Sequence, residues 1–234
     1  MSERAESYTV LRPGIQVRTE LERSRSRFRT VLCRAESEED AQRVLKELRQ
    51  ANPTARHLCS AWVIGPHRSL QRSHDDGEPS GTAGAPILAA LLRSDMPDGE
   101  QDLSDVLAVV LRWFGGTLLG SGGLVSAYSD SVLQALRRSR DQADLVPRVR
   151  MRRYDVHAPT AEAGRWENEL RAAGVQVWST DYSQDGSQAR IQVSVLDSQA
   201  QIAELIGRIS SLSTGGVSPT EAGRHWLDLP TGQR

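Results

Sequence analysis

Val106-Leu-Ala-Val-Val-Leu-Arg-Trp-Phe-Gly-Gly-Thr-Leu-Leu-Gly-Ser-Gly-Gly-Leu124 joins a short unbroken apolar run to a cluster of glycines and then to a helical pattern. The run Val106 to Leu111 fits a buried strand. Leu124, Tyr128, Ser131, Val132 and Ala135 recur at helical spacing, and the arginines at 137, 138 and 140 suit that helix's C-terminus. A strand that passes through glycines into a helix collects free backbone amides and the positive end of a helix dipole in one place, where a phosphate or carboxylate sits well. The same glycines also suit a tight turn that lets a helix pack closely. The spacing is neither a Walker A motif, which requires Gly-Lys-Ser/Thr, nor a full Rossmann fingerprint. The candidate binding residues of this segment are Arg112, Gly115, Gly116, Gly120, Ser121, Gly122 and Gly123, with Arg112 placed to reach a held anion.

A second glycine-bearing segment, His74-Asp-Asp-Gly-Glu-Pro-Ser-Gly-Thr-Ala-Gly-Ala-Pro86, runs into a helix marked by Ile87, Leu88, Leu91 and Leu92. Asp75, Asp76 and Glu78 place three carboxylates around Gly77. Mg²⁺ held with substrate phosphates is one reading; a solvated acidic turn whose carboxylates cap backbone amides is the other. The run lacks EF-hand spacing, so no metal is assigned. Asp75, Asp76, Glu78, Ser80 and His57 join the candidate ligand-binding set. His57 and His74 each suit a general base, a ligand or a structural role. No serine or cysteine nucleophile stands in a recognisable elbow motif, and no catalytic residue is assigned. A salt bridge from Arg112 to Asp75, Asp76 or Glu78 is the alternative to its anion role and would link the two segments.

Upstream, Ser26 to Ala35 reads as a strand, and Ser37-Glu-Glu-Asp40 opens a helix with Ala41, Val44, Leu45 and Leu48 on one face. Pro53 stops that helix, and Cys59 to Gly65 returns to strand character. Arg23, Arg25, Arg27 and Arg29 alternate, which in one strand makes a positive stripe for phosphate or simply a solvated face. Arg148, Arg150 and Arg152 repeat the device. Beyond about residue 145 the order becomes strand, helix, strand, strand, helix, strand. Met151 to His157 is the first strand; Thr160 caps a helix carrying Ala163, Trp166 and Leu170, closed by Gly174. Val175 to Tyr182 and Arg190 to Leu196 flank the Asp185-Gly186 turn, Ile202 to Leu212 is a helix, and Val217 to Leu229 supplies the last strand. This is the βαββαβ order of a ferredoxin-like domain. The fold class is α+β, with domains at 1–144 and 145–234.

Length and charge narrow the function. The 234 residues suffice for two small domains. The net charge is -1, so contact with nucleic acid needs a local basic surface. Cys33 and Cys59 form no C-x-x-C pair and indicate no disulfide framework. The polar start lacks a signal core, and no apolar run approaches the ~20 residues of a membrane span, so a soluble cytoplasmic protein is expected.

Asp75 to Gly84, Phe114-Gly-Gly, Leu119-Gly-Ser-Gly-Gly-Leu-Val125 and Ala127-Tyr128 together resemble the signature of the Impact/YigZ family, and Ser26-Arg-Phe28 and Ala55-Arg-His57 fit its earlier positions. The likeness covers about residues 14 to 140. It implies an N-terminal α+β domain of the type shared by the second domain of a small-subunit ribosomal protein and GHMP kinases. The C-terminal module is similar to a ferredoxin-like domain of elongation factor G. It further implies a non-enzymatic, cofactor-free protein of translation or stress regulation. Such a protein binds RNA or a ribosome-associated partner through the glycine segments and an arginine-bearing sheet face that includes Arg25, Arg27 and Arg29. The fold analogy leaves a GHMP-kinase-like phosphotransferase with Mg²⁺ as an alternative, and a protein interaction module as another. Thr117 or Leu118 stands where the family usually has lysine or another polar residue, Ser126 where it has arginine, Leu58 where asparagine often follows the histidine, and His74 where serine is commoner. An anion held by this chain therefore relies on backbone amides and Arg112.

Overall fold

A strand with no polar face needs cover on both sides, and β6 (Val106–Trp113) has it in the computed structural model, which describes residues 6–230. Val106, Ala108 and Val110 enter one apolar core and Leu107, Val109 and Leu111 another. The chain is α+β and divides into two compact units, one built on Tyr8–Pro147 and the other on Arg148–Leu227. Besides β6, the first contains β1 (Ser7–Leu11), β2 (Gln16–Arg23), β3 (Ser26–Arg34), α1 (Glu38–Ala51), β4 (His57–Ile64), β5 (Leu70–His74), α2 (Gly84–Arg93) and α3 (Gly120–Asp141). One sheet has the order β2-β3-β6-β4-β5, with every neighbouring pair antiparallel. Residues of α2 and α3 fill the core on one face, and those of α1 fill it on the other. Ser37 caps α1, its Oγ accepting from the Asp40 amide at 3.1 Å, as the sequence predicts.

The hairpin β2–β3 overturns the arginine stripe. Ser24 and Arg25 both take positive φ, 47° and 62°, and form the tight turn between Arg23 and Ser26. Arg23 therefore lies on a different strand, where it pairs with Asp130, and Arg25 belongs to the turn. Arg27 and Arg29 do share a face, but register sets them opposite Glu22 and Glu20, and Arg29 pairs with Glu20 at 3.2 Å. Both guanidinium groups cover Trp113, at 4.2 and 5.2 Å from its ring centre. Of the two readings the sequence leaves open for Arg27 and Arg29, the hairpin register supports the solvated face balanced by carboxylates.

The second unit runs β7 (Leu145–Pro159), α4 (Thr160–Ala172), β8 (Gln176–Tyr182), β9 (Gln188–Leu196), α5 (Gln199–Leu212) and β10 (Thr220–Asp228). Within this unit the sheet has the order β10-β7-β9-β8. Tyr154, Val156, Ile191 and Val193 meet Trp166, Leu170, Leu205 and Ile209 in one core. Thr160 does not cap α4. The strand runs through Pro159 straight into the helix, Thr160 is its first residue, and the buried hydroxyl has no partner. Gly174, at φ 78°, follows the last turn as expected.

Arg150 and Arg152 are likewise not a phosphate stripe. Each donates from Nε to the buried Asp197 at 2.7 Å, and Arg224 joins them at 3.1 Å. Burial works to raise the Asp197 pKa, but Arg152 and Arg150 together hold it below the ordinary carboxylate value. Among the described residues no helix is long and apolar enough to cross a membrane.

Candidate functional site

The two glycine-bearing segments meet at Glu78, one of the few buried carboxylates of the first unit. Arg112 Nη1 donates to Glu78 Oε1 at 2.5 Å, the Tyr128 hydroxyl donates to the same oxygen at 2.8 Å, and His57 Nε2 lies 3.9 Å away. Both ends of the ion pair are at most 6% exposed. Of the three carboxylates that the sequence offers to Arg112, the structure selects this one. Arg112 Nη2 continues to Ser26 Oγ at 3.3 Å, which also accepts the Gly115 amide at 3.2 Å. Arg112 Nε is buried and has no partner.

Asp75 and Asp76 face other ways. The Asp75 carboxylate accepts the amides of Gly81, Ala83 and Gly84 at 2.8, 3.1 and 2.7 Å, closing the start of α2, where Ala83 offers no side-chain cap. Asp76 accepts the Leu58 amide at 2.6 Å and pairs with Arg49. His57 Nδ1 donates to the Asp76 carbonyl at 2.8 Å, which holds the imidazole against Gly77. The three carboxylates of the acidic run are thus each bound to proton donors of the fold, and among the described residues no group of three or more His, Cys, Asp or Glu is arranged to hold a metal ion. Asp75 and Asp76 accept backbone amides, as the capping reading has it, whereas Glu78 is buried in a side-chain ion pair.

Asp75 makes a measurable prediction. Burial pushes its pKa up, yet the amides of Gly81, Gly84 and Ala83 outweigh that and leave it lowered. A depressed folded pKa contributes stability that is fully present above the unfolded value of ~3.9 and is lost as pH falls through the folded value. Asp75→Ala is expected to cost about 1–2 kcal/mol at neutral pH. Urea denaturation at pH 7 and pH 3 should find the gap between variant and parent smaller in acid.

A cleft of about 380 Å³ opens beside the Glu78–Arg112 pair, lined by Arg56, His57, Phe114, Leu119, Gly120 and Ser121, among others. Gly116 and Gly120 take φ of 85° and 71°, which turns the chain from β6 into α3. Ser121, Gly122 and Gly123 form the first turn of this 22-residue helix, which has no side-chain cap and no acidic residue there. Gly120 and Ser121 bring this end of the helix to the cleft, and Gly122 and Gly123 stand outside its lining. Arg56 and Arg112 each lie 5.6 Å from the Phe114 ring centre. Ser80 sits exposed in the turn before α2, outside the cleft lining. Arg25, Arg27 and Arg29 are also outside it.

Arg56, Phe114, Tyr128 and Cys59 belong to the site without having been predicted. Tyr128 occupies the apolar stripe of α3, where spacing alone reads it as core; its ring is core, packed edge-on to Phe28 at 5.2 Å, and its hydroxyl is the polar tip. Cys59 Sγ lies 3.2 Å from that hydroxyl. Burial, assisted by the nearby carboxylates of Glu78, Asp76 and Asp75, pushes the Cys59 pKa up to about 12, so the thiol stays protonated and is a packing group, not a nucleophile.

The fold is α+β, and in it an acidic-glycine turn and a strand–glycine–helix segment share one buried Glu–Arg pair. The chain belongs to the IMPACT family. The Impact N-terminal domain matches residues 24–136. IMPACT family member YigZ of Escherichia coli is 34% identical over 88% of this chain and 94% of that protein. IMPACT family member YvyE of Bacillus subtilis is 38% identical over 69% of each. A solved structure described as that of a hypothetical protein shares 31% identity and a TM-score of 0.60, over 92% of this chain and 97% of that one.

Proposed function

We propose that this chain is a non-enzymatic regulatory protein of translation or stress response, cytoplasmic and cofactor-free, that binds RNA through the cleft of its first unit. The observation that carries the reading is the uncapped start of α3 opening onto a cleft with Arg56, Phe114 and the unpartnered Nε of Arg112. Three kinds of group useful to RNA meet there: amides and dipole for a phosphate, guanidinium for its charge, and a ring 38% exposed for a base. The lysine and arginine that other members carry near this helix are Thr117 or Leu118 and Ser126 here, which leaves Arg56 to supply the charge at the rim. A GHMP-kinase-like reaction is disfavoured, because the carboxylates it would use for Mg²⁺ are committed to the fold.

In this reading residues 1–144 form the family's domain, related to the ribosomal-protein and GHMP-kinase type. Residues 145–234 form a ferredoxin-like module akin to one in elongation factor G, which the order β10-β7-β9-β8 supports. Leu118, 87% exposed beside the cleft, favours a ribosome-associated protein as a second partner at the same place. Fluorescence anisotropy with a labelled single-stranded RNA tests the primary reading. Affinity is expected to fall steeply with salt, and Arg56→Ala should weaken binding several-fold and reduce the log-log slope by about one. Undetectable or salt-insensitive binding overturns it.

A further inference from the structure

The second unit carries a cleft of its own, about 360 Å³, on the sheet face away from its helices. Tyr154, Val156, Ile191 and Val193 point into the core, so alternation puts Arg153, Asp155, Gln192 and Ser194 on the other face. A β-bulge between Val177 and Ser179 interrupts β8 at Trp178, and bulges of this kind re-aim a side chain. The indole N–H of Trp178 donates to Ser194 Oγ at 2.8 Å, which pins the ring while leaving the residue 47% exposed. His225 of β10 meets it edge-on at 5.1 Å between ring centres.

Two features of this cleft have no structural task. Both ring nitrogens of His225 are buried without a partner, whereas buried polar atoms are normally paired. Burial, with the Arg153 charge adding to it, holds His225 below the ordinary histidine pKa, so near neutrality the ring offers one donor and one acceptor. Arg153 is exposed and forms no ion pair among the described residues. A fixed, half-exposed indole next to an uncommitted guanidinium is the combination that holds an unpaired base together with its phosphate.

We propose that this cleft stacks one unpaired nucleobase of an RNA strand on Trp178, with Arg153 on the adjoining phosphate and the Asp155–Gln192 pair, joined at 3.2 Å, at the base edge. The proposal rests on RNA binding by the chain, but its chemistry is separate from that of the first-unit cleft. The test uses the full chain, a labelled ten-nucleotide single-stranded RNA, and AMP as an isolated base. Trp178→Ala should weaken RNA binding about tenfold without altering the salt slope, and Trp178→Tyr should restore most of the loss. Arg153→Ala should lower the slope by about one. In NMR spectra the Trp178 indole signal, assigned by its loss in Trp178→Tyr, should move on addition of AMP.

Salt-dependent RNA binding that Trp178→Ala leaves within twofold of the parent overturns the stacking site while sparing the first-unit reading. Absence of RNA binding overturns both readings, whether or not AMP moves the Trp178 signal.

Discussion

Glu78→Ala is expected to lower the thermal midpoint by about 10 °C, the largest effect of any single substitution at this site. Removing the carboxylate leaves Arg112, 5% exposed, as a buried cation without a counter-charge, and leaves the Tyr128 hydroxyl without its acceptor. Breaking a buried pair from one side costs about 3–5 kcal/mol, and for a chain of this size each kcal/mol moves the midpoint by about 2–4 °C. Glu78→Gln should cost less, since an amide oxygen can still accept from both neighbours. The double change Glu78→Leu with Arg112→Met should recover much of the loss, because two well-packed apolar groups avoid the desolvation cost that the lone cation suffers. A double-mutant cycle measured by scanning calorimetry decides the matter; additive losses would mean that the pair is not coupled.

Gly115→Ala is expected to cost about 2–3 kcal/mol through a different mechanism. An added Cβ would stand 2.0 Å from both the carbonyl carbon and the oxygen of Arg25, and 2.5 Å from the Ser26 nitrogen. All three are backbone atoms of a tight turn, so none can rotate aside. The hairpin tip and the loop after β6 must part, which also strains the Gly115 amide bond to Ser26. Gly122→Ala is the contrasting case, lying in the first turn of α3 with nothing within 4 Å of its added carbon. It should stabilise the chain by about 0.5–1 kcal/mol. Chemical denaturation of the two variants should give opposite signs; equal signs would rule out the close-approach account.

Much of this fold is legible in the sequence. Val106 to Leu111 reads as a buried strand because no polar residue interrupts it, and Ser37 reads as a cap because its hydroxyl type and position allow little else. β5, Leu70-Gln-Arg-Ser-His74, escapes notice because an edge strand can be wholly polar. β2 alternates Val17, Thr19 and Leu21 with charged or amide residues, yet its charge density makes it resemble a polar lead-in. The arginine alternation misleads for a related reason: alternation defines a face only within one strand, and Ser24-Arg25 turns without a glycine or proline to announce it. Which carboxylate Arg112 takes is unreadable from spacing, since Asp75, Asp76 and Glu78 are adjacent in sequence and diverge only through the positive φ of Asp76 and Gly77. Tyr128 and Cys59 are chosen by cross-element packing, which no local pattern encodes.

The Glu78 junction has a consequence for molecular recognition. One carboxylate oxygen accepts hydrogen bonds from β6 and α3, while the turn that carries it is held at its other end by three amides at the start of α2. The wall of the cleft is thus locked in shape before anything enters it. A partner that fits meets a preorganised surface and forfeits little conformational entropy of the protein on docking. Under the proposed reading, selectivity at this cleft would come from shape, misfitting partners being rejected by a wall that the fold holds in place.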